Sequence, residues 1–342
     1  MEIRDLLSDD GHVVLALCSA VALPEDAAAS GVTPFKLSEW NQLAQQLQDS
    51  SFKHPAALHG RTVDELAKQL TITADEAERI ARLLDRSGRL ALELENLFAR
   101  GIWAVTRVDD QYPAKLRDTL KHQAPSVLFG AGELRLLGRA GVAVIGSRNI
   151  DESGAAFAKE IGRKTVSANL PVISGGARGT DRIAMDGAME AEGAAIGALA
   201  DSLDATIRKS DVRELLLDGR LVLLTPYAPM AGFSVGAAMG RNKMIYGLAD
   251  FAVVVSSDFQ TGGTWAGAVE ALKAGWCPVF VREGASVPKG NRELLKLGAV
   301  ALPEGELGSI GNLAEWMRQH SQAQAVEPEL FDLTLSTKRR KP

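Results

Sequence analysis

The stretch "AGVAVIGSRNIDESG", residues 140–154, decides the fold. A short apolar run ends in Gly146, Ser147 and Arg148, and a helical segment begins soon after it. A strand that enters a helix through a glycine turn is typical of the first unit of a nucleotide-binding α/β fold. The spacing G-x-G-x-x-G of dinucleotide-binding loops is missing, and an arginine occupies the turn instead.

Apolar strands alternate with amphipathic helices from Gly141 to about Leu302. The strand segments are "VAVIG", "LPVIS", "AAIGAL", "RLVLLT", "FAVVVSS", "CPVFV" and "GAVAL", and helices are expected near 153–168, 180–192, 210–217, 235–248, 264–274 and 290–297. Nearly continuous apolar strands predict an α/β fold with a doubly wound, mostly parallel sheet. In such a sheet, ligands bind at the carboxyl ends of the strands.

Residues 1–100 have a helical pattern and are predicted to form a separate N-terminal domain. "TVDEL" (62–66) and "TADEA" (73–77) are both capping boxes that start helices. The two helices allow a helix-turn-helix that places Arg79, Arg82 and Arg86 on DNA. A small helical bundle with these arginines facing solvent is the favoured interpretation, because the first helix is short and neighbouring glutamates oppose DNA contact.

The remaining segments complete the predicted organisation. Residues 101–140 read as strand, helix and strand in a connecting segment, and residues 141–319 form the sheet domain. Residues 320–342 are polar and end in the basic run 338–341, which predicts a disordered tail or a peptide that docks on a partner.

Composition predicts a globular protein of the cytoplasm. The chain is 46% hydrophobic and 24% charged, with a net charge of −5. No apolar run approaches the ~18 residues that cross a bilayer, and the acidic N-terminus is unlike a signal peptide. Cys18 and Cys277 lie far apart in apolar surroundings and are expected in the core. A protein of this charge needs a local basic site to bind phosphates.

Three glycine-containing loops are predicted at strand carboxyl ends, where they converge on one crevice. Glycine allows close backbone approach, and N–H groups beside a helix N-terminus suit phosphate. A fourth segment adds long cationic side chains at the start of a helical stretch. The candidate phosphate-binding residues are Gly146, Ser147 and Arg148; Ser174, Gly175, Gly176, Arg178 and Gly179; Thr261, Gly262, Gly263 and Thr264; and Arg241, Asn242 and Lys243.

Several other chemistries are disfavoured by the sequence. The second strand ends in Ser-Gly-Gly rather than an acidic residue, which argues against NAD, and no P-loop is present. No His, Cys or carboxylate cluster has metal spacing, and the five histidines lie outside the sheet region. We therefore expect no cofactor, no metal and no catalytic residue.

The motifs "VAVIGSRNIDESG", "VISGGARGTDRIAMDGAM", "GRNKMIYGLAD" and "TGGTWAGAVEALKAG" occur in the order of the DprA/Smf family of DNA-processing proteins. The segment "GIWAVTRVDDQYPAKLRDTL" also resembles that family's lead-in to the sheet, so the resemblance covers about residues 10–305. It implies an extended Rossmann-type fold and a homodimer. It further implies that single-stranded DNA binds in a basic pocket, that a recombinase is the partner, and that no catalysis occurs.

Site residues carry over by motif. Ser147 and Arg148 match the family's GSR, and Gly175, Gly176 and Gly179 its second loop. The segment Arg241–Lys243 matches its RNR. Phe233 and Trp265 are candidates for stacking with bases, with core packing as the alternative interpretation.

The chain also departs from the family pattern. The family's Ala-His is Ala184-Met185 here, its Ile-Asp is Thr180-Asp181, and the third residue of RNR is Lys243. These differences are typical of a divergent branch of the family, and some divergent DprA-like proteins resemble the antitoxin half of phage-defence modules, paired with a phosphoribosyltransferase-like toxin.

Two alternatives stay open. "GGTWAGAVE" resembles the GG-x-GT-x-x-E loop of nucleotide phosphoribohydrolases, but Glu270 follows Thr264 by six residues instead of three. Asp181 is a spare carboxylate that more simply caps a helix. The other alternative is a sensor that binds a small nucleotide without turning it over, because the same pocket serves both ligands.

Overall fold

The N-terminal region is a bundle of short helices. The structure, a computed structural model, describes residues 3–23 and 32–324. Thr62 and Thr73 cap two of the helices by accepting hydrogen bonds from the backbone N–H groups three residues on, as the capping boxes predict. The helices are α1 (Asp9–Cys18), α2 (Leu37–Asp49), α3 (Val63–Leu70), α4 (Ala74–Asp85) and α5 (Ser87–Ala99).

Two of the three arginines considered for DNA contact hold this bundle together. Arg79 donates to both carboxylate oxygens of Glu39, at 2.9 and 3.3 Å, and its guanidinium lies 4.1 Å from the ring centre of Phe35. Arg86 is buried and donates to the Ser19 carbonyl at 2.7 Å. Arg82 pairs with Glu78 at 2.6 Å. These contacts support the bundle interpretation over the helix-turn-helix.

A single mixed sheet forms the body of the described chain. Its spatial order is β1-β2-β6-β5-β4-β3-β7-β8-β9, and β3 to β9 pair with one another only in parallel. This confirms the predicted α/β class and mostly parallel, doubly wound sheet. The strands are β1 (Ile102–Thr106), β2 (Val127–Gly132), β3 (Val142–Gly146), β4 (Val172–Ser174), β5 (Ala195–Ala198), β6 (Leu221–Thr225), β7 (Phe251–Ser256), β8 (Val279–Glu283) and β9 (Val300–Pro303).

Helices connect the strands and cover both faces of the sheet. Successive β3 residues alternate between two apolar clusters: Val142 and Val144 belong to one, Ala143 and Ile145 to the other. Both faces are therefore buried, which explains the nearly continuous apolar strands. The helices are α6 (Ala114–Leu120), α7 (Glu152–Ser167), α8 (Thr180–Glu190), α9 (Leu203–Ile207), α10 (Ser210–Leu217), α11 (Val235–Leu248), α12 (Gly262–Ala274), α13 (Lys289–Lys296), α14 (Glu304–Leu307) and α15 (Leu313–Gln324).

The segment 101–140 extends the sheet. Its strands β1 and β2 form an antiparallel pair, and β2 pairs antiparallel with β6. Trp103 fixes this corner by donating its indole N–H to the carbonyl of Gly132 at 3.0 Å. The predicted strand, helix and strand are present, but they cover the edge of β6 instead of only leading into the sheet.

The C-terminal helix reaches further than the sequence predicts. Helix α15 ends at Gln324, so residues 320–324 are helical, and the basic run 338–341 lies outside the described residues. Cys18 and Cys277 are free thiols, and burial raises the pKa of each to about 12. In the described part of the chain, no helix is both long and apolar enough to cross a bilayer.

Candidate functional site

The candidate site lies where the sheet changes winding direction. From β3 the chain moves through β4 and β5 to β6, then returns to place β7 on the other side of β3. The loops after β3 and β7 therefore begin side by side, and the Ser147 N–H donates to the Ser256 carbonyl at 2.9 Å. A crevice at such a point is the usual ligand site of an open α/β sheet.

Glycines let the first loop, residues 146–149, and the second loop, residues 174–181, pack against each other. A Cβ on Gly146 would lie 2.4 Å from the Thr180 hydroxyl. Gly179 has a φ of +87°, and a Cβ there would lie 2.5 Å from the Arg148 carbonyl. Thr180 donates its N–H and its hydroxyl to the Ser147 carbonyl, at 3.2 and 3.0 Å. These glycines therefore serve loop packing as well as close approach of a ligand.

Arg241 is a buried cation beneath the second loop. Only 5% of its surface is exposed, and its Nε and Nη1 atoms have no hydrogen-bond partner among the described residues. A Cβ on Gly175 would lie 1.8 Å from Nη1, so only glycine leaves room for the guanidinium. Burial lowers the pKa of Arg241, while nearby Asp181 opposes this shift. An arginine stays charged in proteins, so this buried guanidinium places a positive charge beneath the second loop.

Asp181 organises the second loop from below. Its buried carboxylate accepts the Gly175 N–H at 3.0 Å. Burial raises the pKa of this carboxyl, and the Arg241 charge and the loop N–H groups counteract that shift. Asp181 thus holds the glycine loop beside Arg241, and its role is wider than that of a helix cap.

Two cavities meet at Arg241. The loop cavity, of about 680 Å³, is lined by Ala177, Asp181 and residues of segments 145–148, 233–242 and 256–266. The side cavity, of about 380 Å³, is lined mainly by residues of segments 175–189 and 199–223. Both cavities share four lining residues, which are Arg148, Ala177, Phe233 and Arg241.

Aromatic side chains flank the loop cavity. The Arg148 guanidinium lies 5.2 Å from the ring centre of Phe233, which is 51% exposed and therefore not a core residue. Trp265 also lines the loop cavity, and its ring meets Phe259 edge-on at 5.1 Å. Both predicted stacking residues thus reach the same space.

Most of the predicted loop residues line one of the two cavities. The first loop supplies Gly146, Ser147 and Arg148 to the loop cavity, and the third supplies Thr261 to Thr264. Gly175, Gly176 and Arg178 line the side cavity, and Arg178 donates to the Asn149 side chain at 3.2 Å. Asn242 lines the loop cavity and donates its side-chain amide to the Gly263 carbonyl at 3.2 Å.

Three predicted site residues line neither cavity. The Lys243 ammonium bonds to Gln123 at 2.7 Å and to Glu270 at 2.8 Å, on the side of α11 that packs on α6 and α12. The Ser174 hydroxyl is buried and donates to the Val144 carbonyl at 2.7 Å. Gly179 is used in loop packing. The pairing with Lys243 also holds Glu270 outside the lining of both cavities.

The predicted site residues leave out several residues that line the loop cavity, among them Val235, Met239 and Asp258. Val235 and Met239 are 69% and 50% exposed and lie four residues apart on one face of α11. Such apolar spacing normally marks a core-facing stripe, which is why it gave no signal. Asp258 lies just after β7 and also lines the cavity.

The chain matches known proteins along most of the sheet region. The family profile described as DNA recombination-mediator protein A matches residues 103–307, more than half of the chain. Curated relatives include the protein of Mycobacterium tuberculosis that carries the name DprA, 28% identical over 253 residues, which are 66% of this chain and 63% of the relative. The Smf protein of Escherichia coli is 27% identical over 234 residues, covering 66% of this chain and 61% of the relative. The chain thus spans less than two thirds of these relatives.

Solved structures share the fold. The X-ray structure of DprA from Streptococcus pneumoniae aligns with a TM-score of 0.61 at 23% identity, covering 80% of this chain and 97% of that one. DprA from Helicobacter pylori, whose structure is described for its single-stranded DNA binding mode, aligns with a TM-score of 0.50 at 22% identity, covering 65% and 96%. With the family profile, these matches confirm the predicted resemblance: the chain belongs to the DprA/Smf family of DNA recombination-mediator proteins.

Proposed function

We propose that this protein binds single-stranded DNA in the loop cavity without catalysing a reaction on it. The observation that carries the proposal is Arg241, a buried cation at the junction of two cavities, two of whose nitrogens have no hydrogen-bond partner among the described residues. A buried charge without partners is costly, and a phosphate would supply the missing acceptors. The DNA-binding description of the Helicobacter pylori relative supports the choice of ligand.

The loop cavity offers two kinds of surface, one suited to the phosphates and one to the bases of a DNA strand. Gly262 and Gly263 begin α12 and line the loop cavity, where their backbone N–H groups have no helical acceptors. With Arg148, they form the phosphate-binding side. Phe233 and Trp265 offer faces to bases, a contact that tolerates any base. Arg241 contributes its positive charge from the bottom of the loop cavity.

A catalytic role has less support than binding. The phosphoribohydrolase alternative assigns catalysis to Glu270 or Asp181, but the Glu270 carboxylate pairs with Lys243. Asp181 is buried and accepts a backbone hydrogen bond. Neither carboxylate has the open position that a general base requires.

The biological role that we propose is DNA processing, with a homodimer as the working form and a recombinase as the partner. The names of the curated relatives favour this role over the sensing antitoxin of a defence module. The adjacent gene distinguishes the two, because the antitoxin role requires a phosphoribosyltransferase-like neighbour.

Arg148→Ala tests the DNA site, since Arg148 is exposed and its loss spares the fold. We expect binding of a labelled (dT)20 to weaken about tenfold, because a charge-assisted phosphate contact is lost. The slope of log K against log salt should become shallower by about 0.7 for one lost contact. Arg318→Ala removes an exposed arginine of α15 that lines neither cavity, and should change neither quantity.

Thermal unfolding with different ligands separates a strand from a small nucleotide. A ligand that binds only the native state raises the unfolding temperature, by an amount that grows with the logarithm of one plus the ratio of free ligand concentration to Kd. We expect (dT)20 to raise it at concentrations where deoxynucleoside monophosphates do not. Equal shifts from mononucleotides would favour the sensor alternative, and unchanged binding in Arg148→Ala would remove the proposed site.

A further inference from the structure

The loop cavity contains one carboxylate that its phosphate-binding role does not explain. Two acidic residues line this cavity, Asp181 and Asp258. Asp181 is buried and holds the second loop. Asp258 is exposed, and its carboxylate makes no hydrogen bond or ion pair with any residue of segments 3–23 and 32–324. It therefore has no evident structural task.

The backbone of Asp258 is nevertheless fixed. The Ser257 N–H donates to the side chain of Asn291 at 2.8 Å, and that buried amide also binds the Val255 and Arg282 carbonyls at 3.0 Å. A Cβ on Gly290 would lie 2.8 Å from the Asp258 carbonyl carbon, so α13 packs directly on this turn. A rigid backbone thus presents a free carboxylate at the cavity. Such preorganisation lowers the entropic cost of a contact.

A carboxylate repels phosphate, so its natural counterpart on a DNA strand is the edge of a base. It offers acceptors only. Guanine is the base whose pairing edge carries two adjacent donors, the ring N1–H and the exocyclic amino group, which match the two carboxylate oxygens. Adenine and cytosine set one donor beside an acceptor, which would face the second oxygen unfavourably. The pairing edge is free in a single strand.

On the assumption that the proposed DNA site is correct, we infer that Asp258 makes the loop cavity selective for guanine. Phe233 and Trp265, which line the same cavity, stack on the base regardless of its identity. Arg148 and Arg241 take phosphates. Asp258 supplies the base-specific contact.

The test compares two oligonucleotides with the full chain at one salt concentration. Both are (dT)20 with four isolated substitutions, dG in one and dA in the other, spaced so that no G-run forms. We expect the wild-type protein to bind the dG oligonucleotide about tenfold more tightly, the discrimination of one good bidentate contact. Asp258→Ala should reduce this ratio to within about twofold and leave binding of the dA oligonucleotide equal or tighter.

Asp218→Ala is the matched control, because Asp218 is exposed, directly follows α10 as its C-cap and lines neither cavity. It removes the same charge and should keep the preference for dG. A wild-type ratio near one, or a preference that survives Asp258→Ala, overturns the guanine contact while the DNA site stands. Failure of the wild-type protein to bind either oligonucleotide overturns the DNA site and the guanine contact together.

Discussion

At the scale of single residues, the close approach of Gly175 and Arg241 is a specific constraint. A methyl group at position 175 would overlap Nη1 of a guanidinium that is itself almost fully buried. We expect Gly175→Ala to lower the free energy of unfolding by about 1–3 kcal/mol, as overpacking does, and to weaken DNA binding by displacing Arg241. Urea unfolding and anisotropy measure the two effects.

Gly236→Ala is the control for this substitution. Gly236 lies in the first turn of α11, and a Cβ there meets no atom within 4 Å. Alanine favours the helix by about 0.5–1 kcal/mol, so this variant should be at least as stable as the wild type. Equal stability of Gly175→Ala and Gly236→Ala would contradict the tight fit at Gly175.

The sequence indicated which residue types form the site, but it did not indicate the direction in which each side chain points. Arg241 and Lys243 belong to the same motif, but residues two apart on a helix point to opposite sides. Arg241 therefore reaches the cavities, and Lys243 reaches Glu270 and Gln123. Asp258 could not be predicted as a site residue from the sequence, because its role depends on the other residues that line the cavity, and these come from distant segments.

At the scale of elements, the N-terminal cap of α4 makes a local contribution to stability that can be tested. The Thr73 hydroxyl accepts the Glu76 N–H at 3.2 Å, and the Glu76 carboxylate accepts the Thr73 N–H at 3.0 Å. We expect Thr73→Ala to cost about 1 kcal/mol of unfolding free energy, because it leaves helix N–H groups without acceptors. Thr73→Ser keeps the hydroxyl and should be nearly neutral in the same denaturant titration. A loss of equal size in both variants would contradict the capping role.

The ion pair between α2 and α4 makes stability depend on pH. The Arg79 guanidinium beside Glu39 holds the pKa of that carboxyl below its usual range, so Glu39 binds its proton less readily in the folded state. The stabilisation is present above the unfolded-state pKa and is lost as the pH falls through the folded-state pKa. Because Glu39 is 39% exposed, solvent screening limits the contribution to at most about 1 kcal/mol.

Glu39→Gln tests this dependence. We expect the variant to be less stable than the wild type at pH 7, with the difference shrinking as both are acidified below the folded-state pKa of Glu39. Denaturant unfolding at several pH values measures it. A difference that is constant with pH would mean that packing of the side chain, and not its charge, is responsible.

The helix and strand segments of the sheet region were predictable because their signals are local. The expected helix 235–248 agrees with α11, and "VAVIG" is β3 itself. The joining of β2 to β6 was not predictable, because it pairs residues more than 80 positions apart and depends on which edge of the sheet remains open. Helix α15 exceeds its expected end because polar residues on its outer face resemble a tail in composition.

At the scale of the whole molecule, one apolar cluster joins the helical region to the sheet. It contains residues of α1 and α5, such as Leu15 and Leu94, together with Phe129 of β2 and Val144 of β3. We expect the chain to unfold in one cooperative transition, since neither part keeps its core when the other is lost. Far-ultraviolet circular dichroism and tryptophan fluorescence should give the same midpoint. Two separate midpoints would show that residues 1–100 and the sheet region unfold independently.

At this scale, the doubly wound arrangement of the sheet could also be predicted from the sequence. Right-handed crossovers and continuous apolar strands leave few arrangements for repeated β-α units. The division at residue 100 stays a prediction, because the shared cluster crosses it. A hydrophobic pattern shows that a face is buried but does not show which segment covers it.

The unpartnered nitrogens of Arg241 have a consequence for the lifetime of the protein. Nε and Nη1 of Arg241 have no acceptor among the described residues, so an anion that supplied acceptors would stabilise the folded form and link binding to folding. Proteases act on the fraction of molecules that are open, and that fraction falls when ligand is bound. In a cell, the amount of this protein would then follow the supply of such a ligand, and molecules without it would be degraded first.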